Sequence, residues 1–372
     1  MRTVDRLEDL GADPVRFARA VQLLSGWCDA GKMPAAALIV GRGGAVSQTF
    51  VYGAGRIAVD PAPLRDDAIF LIASITKPIV AMGALLLVER GQVALDDRVE
   101  DYIPRFGRHG KHAITLRNLL THTSGLPDML PNNLALRNAQ APLSAFAQGA
   151  EEIGVDFPPG RGVQYQSLGF AVLGEIMERV TGKTCARFLQ DELFAPLKMD
   201  DTALGAPNSW FDGTGNRAAR IAEVRLPAEQ VDADHWNWNS RYWRQLGVPW
   251  GGLLTTPADL GRLAAMLLGW KGQPAILSRA SIQAATRNQL EAMREVPADD
   301  RRSRPWGLGW RLNWPAHSAN FGDLLGPRTY GHWGATGTVM WIDPDLDAFC
   351  ILLTTQPQEP GGAYLARVSN II

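Results

Sequence analysis

The amino-acid sequence predicts an α+β fold: an antiparallel sheet built from the N- and C-terminal segments, flanked by helices, with a mainly helical region inserted between its halves. Three observations predict it. Strand-like runs gather near both ends, helical periods fill the middle, and no internal repeat, low-complexity tract or long charge run interrupts them. A chain of 372 residues has room for two or so domains at roughly 150 residues each. The pattern divides it into residues 1–72 plus 251–372 for the sheet and 73–250 for the helices, with a functional site expected where the two meet.

The elements follow in order. Asp13 and Pro14 supply the cap and first position of a helix, along which Phe17, Val21, Leu24 and Trp27/Cys28 recur at helical spacing until Gly31. Residues 36–41 and 46–52 are β-like and are separated by Gly43-Gly44, which predicts a hairpin. Residues 75–90, 116–122, 168–181 and 257–268 predict helices; Gly91 and Gly182 close two of them, and Thr256-Pro257 with Asp259 opens another. Residues 307–313, 328–334, 338–343 and 348–355 return to strands, and a short helix from Ala363 finishes the chain. Closely spaced strands should pair antiparallel. Residues 205–250 hold neither period, and a loop that long inside a compact chain is more often functional than filler.

Composition narrows the class. A net charge of −1 offers no basic field for nucleic acid. No run approaches the roughly 18 consecutive apolar residues of a membrane helix, and the first thirty residues mix Arg, Asp and Glu through their apolar positions, unlike a signal or transit peptide. A cytoplasmic protein without nucleic-acid or membrane partners is therefore expected. Cys28, Cys185 and Cys350 are too far apart for a disulfide framework or a zinc cluster and are expected to be buried small hydrophobes.

Three short motifs can carry chemistry. In Ser74-Ile75-Thr76-Lys77 the serine and lysine stand three apart, on one face of a helix. Ile72, Ile75, Ile79 and Val80 surround the lysine, disfavour its charged form and leave an amine able to take the serine proton. Tyr165-Gln166-Ser167 follows the Pro158-Pro159-Gly160 turn and precedes a helix. A tyrosine there could transfer protons, its phenolate stabilised by a nearby ammonium; read alone, the segment is better accounted for by an ordinary half-buried tyrosine and a serine helix cap. His332-Trp333-Gly334-Ala335-Thr336-Gly337 lies between two β-like runs, where glycine lets a substrate approach and a backbone N–H can complete an oxyanion hole, or where a Gly-rich turn simply links two strands.

Together, in this order and spacing, the motifs resemble the serine β-lactamase/penicillin-binding-protein superfamily, on the branch of class C β-lactamases and family VIII carboxylesterases. Leu119-Leu120-Thr121-His122-Thr123-Ser124-Gly125-Leu126-Pro127 matches a stretch typical of that branch. Gly251-Gly252-Leu253 and Trp306-Gly307-Leu308-Gly309-Trp310 match it as well, so the resemblance runs from about Pro34 to Gln356. It implies that Ser74 is the acyl-accepting nucleophile, Lys77 its base and Tyr165 the proton shuttle. The N–H groups of Ser74 and Ala335 would form the oxyanion hole, and Ser167, His332, Trp333 and Gly334 would contact substrate.

Two departures bear on substrate. The third position of Y-x-N is Ser167, and K-T-G reads His332-Trp333-Gly334, which removes a hydroxyl and a fixed positive charge. Both changes argue for neutral acyl esters over anionic β-lactams or peptidoglycan stems. β-Lactamase, D-peptidase, amidase or acyltransferase activity with the same machinery, and a catalytically silent binding module, are the alternatives. Trp236, Trp238, Trp243 and Trp250, with Tyr242, concentrate aromatics in the 205–250 segment, as a pocket wall, as structural packing, or as the surface of a homo-oligomer. No metal or other cofactor is expected. His109 and His112 lack a helical HExxH, Gly53-Ala54-Gly55 lacks the helix of a dinucleotide loop, and no G-x-S-x-G occurs. His122 and Ser124 are read as a helix end packed near the site, without direct chemistry.

Overall fold

The structure is a computed structural model that describes residues 1–372 except 59, 213–216, 232, 234, 314–320 and 359–362. Both chain ends build one sheet. Strand Ala35–Arg42 pairs antiparallel with Ala348–Thr354 along its whole length, from Arg42 opposite Ala348 to Ala36 opposite Thr354. Thr338–Asp343 and Tyr330–Gly334 continue the sheet antiparallel, and the two-residue strand Arg311–Leu312 closes that edge. On the other edge the predicted hairpin forms, but its second strand divides into Ala45–Ser47 and Phe50–Arg56. Residues 307–313 are shorter as a strand than the sequence predicts. Gly307 N–H turns back onto the Trp310 carbonyl, and Gly309, with φ +78, packs where a Cβ would stand 2.4 Å from that of Ala81.

Alternation along the strands gives the sheet two apolar faces. Leu38, Val339, Trp341 and Leu352 pack against Leu24 and Trp27 of helix Pro14–Asp29 and against Leu365 and Val368 of helix Ala363–Ile371. The first helix starts as predicted, with Asp13 Oδ1 accepting from the Val15 N–H at 2.8 Å. The opposite face (Ile39, Met340, Ile351) merges with the helical region in one continuous core. Cys185 is buried in this core and Cys350 in the layer under the terminal helices, as expected, whereas Cys28 is half-buried; all three are free thiols. Among the described residues no helix is long and apolar enough to cross a membrane.

Helix Thr76–Glu89 runs through the middle of this core, and every residue from Thr76 to Leu87 is buried. It is apolar all round, as an interior helix must be; Lys77, with no exposed surface, is the one charge among these buried positions. Gly83 lets the helix approach helix Leu168–Thr181 closely, since a Cβ there would meet Met177 Cε at 2.7 Å. That approach brings the chain entering Leu168 beside the start of the central helix. The 205–250 segment is more structured than its sequence pattern suggests. It contains the short helical stretches Ser209–Asp212, Arg217–Arg220, Ala228–Val231 and Arg241–Leu246, the last capped by the Ser240 hydroxyl.

Candidate active site

The central helix is preceded by a tight turn, Ala73–Ile75, that carries Ser74. Ala73 holds φ +46, a left-handed conformation that costs an L-residue roughly 1–2 kcal/mol. Neighbouring elements hold this turn from two sides. Ile72 N–H donates to the Leu253 carbonyl, and Leu253 N–H donates to Thr76 Oγ1, both at 3.1 Å. From the sheet, the hydroxyls of Thr336 and Thr338 donate to the carbonyls of Leu71 and Ile72 at 2.6 and 3.0 Å. Gly334 packs so closely on this turn that a Cβ would lie 2.2 Å from the Ile72 oxygen. The Gly-rich end of the Tyr330–Gly334 strand is thereby clamped beside the serine.

Three side chains converge on one oxygen. Lys77 Nζ lies 3.0 Å from Ser74 Oγ, and the Tyr165 hydroxyl donates to the same Oγ at 2.8 Å. Lys77 Nζ also donates to the Trp250 carbonyl at 2.8 Å and sits 4.7 Å from the centre of the Tyr165 ring. Burial dominates its titration and pushes the ammonium pKa down to about 7, against a smaller opposing pull from Asp128. Once neutral, the amine has a free lone pair, so the Ser74 hydroxyl donates to it and the lysine becomes an acceptor for the proton. Burial raises the Tyr165 pKa above its ordinary value, more strongly than its bond to Ser74 lowers it. The resting tyrosine is therefore a phenol, not the ammonium-stabilised phenolate that the sequence suggests.

The sheet side contributes His332, whose Nδ1–H donates to the Trp333 carbonyl at 2.7 Å. That bond places the proton on Nδ1. Burial and the nearby Lys77 hold the ring neutral, and Nε2 has no partner among the described residues. Trp333 lies on the other sheet face, its partner Val339 belonging to the layer under the terminal helices, and its ring packs on Phe321. The ring also lies 5.8 Å from that of His332 between centroids, so its bulk stands beside the histidine. Ser167 is buried and stands at the start of helix Leu168–Thr181, yet its hydroxyl makes no cap; Gln166 Oε1 does so by accepting from the Gly169 N–H.

The tryptophans of the 205–250 segment divide. Trp250 reaches the lysine through its carbonyl, while its ring packs on Phe146. Trp236 and Trp243 are buried against each other, with the Arg137 guanidinium 4.7 and 4.6 Å from their rings, and Trp238 is half-buried against the same core. Among the described contacts none joins these three to Ser74, Lys77 or Tyr165.

Sequence reasoning missed Arg311. Its guanidinium carbon is 3.9 Å from the Trp333 ring and 5.1 Å from that of Trp306, and no carboxylate pairs with it among the described residues. Burial lowers its pKa to about 10, and it interacts electrostatically with Tyr165, His122 and His332. An arginine after Trp310 carries no local signal, because only the pairing of residue 311 with Gly331 brings it to the site.

A family model described as beta-lactamase matches residues 11–370. The chain belongs to the beta-lactamase family. Within it, the chain is 26% identical over 329 residues to a protein named as a D-alanyl-D-alanine carboxypeptidase in Escherichia coli K12, covering 83% of this chain and 74% of that one. It is 30% identical over 277 residues to penicillin-binding protein 4 of Amycolatopsis lactamdurans, covering 73% and 67%. The fold superposes on the crystal structure of a family VIII carboxylesterase with a TM-score of 0.75 at 22% identity, over 96% of this chain and 97% of that chain. This beta-lactamase-family protein is a member of the serine hydrolase superfamily, and its fold is the α+β arrangement that its sequence predicts.

Proposed function

We propose that the protein hydrolyses carboxylic esters through an acyl-Ser74 intermediate. The observation that carries this reading is the convergence of Lys77 Nζ and the Tyr165 hydroxyl on Ser74 Oγ, at 3.0 and 2.8 Å. Neutral Lys77 takes the Ser74 proton while Oγ attacks the ester carbonyl carbon. The developing oxyanion is stabilised by the backbone N–H groups of Ser74 and Ala335. As the tetrahedral species collapses, the C–O bond to the alcohol breaks, Tyr165 gives its proton to the departing oxygen, and the Lys77 ammonium returns one to Tyr165. Water then attacks the acyl carbon, losing its proton to the Tyr165–Lys77 pair, and Ser74 recovers its own as the acid departs.

The neutral His332 and the absence of a hydroxyl at Trp333 favour a neutral ester over a substrate held by its carboxylate. Arg311 favours a second reading, in which the substrate carries an acidic group away from the scissile bond, as a D-peptide does. Steady-state rates on p-nitrophenyl butyrate, a chromogenic cephalosporin and an acylated D-alanyl-D-alanine peptide separate them. The ester reading expects the highest kcat/KM on the first; faster turnover of the peptide or the cephalosporin overturns it.

A further inference from the structure

We propose that His122 is a positioning residue that holds the Tyr165 phenol on Ser74. The inference rests on the acyl-serine reading above and adds to it a residue that makes no bond to Ser74. Residues 162–166 belong to no helix or strand, so regular secondary structure does not fix the tyrosine. His122 fixes it from both sides. Its carbonyl oxygen accepts from the Gln164 N–H at 2.9 Å, and its ring Nδ1 accepts from the Gln166 N–H at 3.1 Å. These are the residues on either side of Tyr165. The imidazole also lies against the phenol ring, with centroids 4.7 Å apart and planes inclined by 30°.

The histidine is itself tightly held. Its backbone takes φ +59, a left-handed conformation uncommon outside glycine, asparagine and aspartate. Its ring is packed by Trp306 at 4.2 Å and Phe170 at 5.8 Å between centroids. A bond accepted at Nδ1 requires the neutral ring with its proton on Nε2. Burial, before any other cause, supplies that state by keeping the pKa well below the ordinary value. The carbonyl bond survives most substitutions, whereas the ring bond does not. Its loss frees the Gln166 side of the tyrosine, and a displacement of about 1 Å at a reacting group costs on the order of 10²-fold in rate.

The test compares kcat and KM on p-nitrophenyl butyrate for His122→Phe, His122→Gln and His122→Asn, each alone and in a Tyr165→Phe background. Asparagine tolerates the left-handed backbone and sets an oxygen near the position of Nδ1; glutamine carries its oxygen too far, and phenylalanine keeps only the ring. The expected result is a kcat loss of about 10²-fold for the Phe and Gln variants with KM nearly constant, and retention within about fivefold for Asn. In the Tyr165→Phe background the Phe and Gln losses should shrink to about threefold or less. An Asn variant as impaired as the Gln variant, or losses that recur in full without the phenol, overturns the inference. Thermal melts show which variants fold, and the Gln and Asn pair carries the test if His122→Phe does not. A wild-type protein inactive on the ester defeats the ester reading instead, so the two failures are distinct.

Discussion

Lys77 Nζ donates to the carbonyl oxygen of Trp250 at 2.8 Å, joining two residues 173 positions apart. That bond occupies one amine proton and aims the nitrogen at Ser74, 3.0 Å away. A buried lysine with a carbonyl and a hydroxyl as its hydrogen-bond partners is poorly compensated as a cation and well placed as a base.

The first consequence is a pH profile. The proposed mechanism requires the neutral amine, so kcat/KM should rise through an acid limb centred near the Lys77 value of about 7. Asp128 is the charge that pulls this pKa upward, while its Oδ1 accepts from the Ser167 N–H at 2.8 Å. Asp128→Asn keeps an acceptor there and removes the charge. The limb should move to lower pH; a limb that stays in place, or moves upward, contradicts the assignment of the base.

Lys77→Met removes the proposed base and should lower kcat by about 10²–10⁴-fold. Stability should change in the opposite sense. A lysine whose folded pKa lies below its unfolded one costs stability in full below the folded value, and the cost fades as pH rises from about 7 towards 10.5. The variant should therefore melt higher than wild type near pH 7, with the gain shrinking by pH 10. Equal melting temperatures across that range would show that the lysine is not buried as described.

Gly334→Ala probes the clamp between sheet and serine. The new methyl would stand 2.2 Å from the Ile72 oxygen and 2.4 Å from Thr338 Oγ1, so the strand must move away from the Ala73–Ile75 turn. A destabilisation of about 1–3 kcal/mol is expected from overpacking. Loss of kcat should exceed what the unfolded fraction explains, because Ala335 moves with the strand. Full activity in the folded fraction would separate the strand from catalysis.

Arg311→Met tests the second substrate reading. A charge-assisted bond to a substrate carboxylate contributes about 1.5–3 kcal/mol. If Arg311 makes one, kcat/KM for a p-nitrophenyl ester with a terminal carboxylate should fall at least about tenfold relative to p-nitrophenyl butyrate. An unchanged ratio leaves Arg311 as a structural stack between Trp306 and Trp333.

Much of this site is legible in the sequence because its parts lie in local patterns. Ser74 and Lys77 are one helical turn apart, and Tyr165 stands immediately before a helix. The sheet joining both chain ends follows from strand-like runs at both ends of the chain around a helical middle. What escaped depends on long-range placement. Arg311 reaches the site through strand pairing, Trp250 contributes a carbonyl that any residue type possesses, and His122 acts through the backbone around Tyr165. The 205–250 segment hides its last short helix, Arg241–Leu246, because the Ser240 cap and the stacking of Trp243 on Arg137, not periodicity, hold it. The phenolate expectation failed because burial outweighs charge at Tyr165.

The central claim is that Ser74 is an activated nucleophile, and covalent labelling tests it most directly. Incubation with a fluorophosphonate, followed by intact-mass measurement and peptide mapping, should give one adduct per chain, on Ser74. It should be absent from Ser74→Ala and form more slowly in Lys77→Met. An adduct on another residue, or none at all from folded wild-type protein, would contradict the account and leave a binding module on this fold.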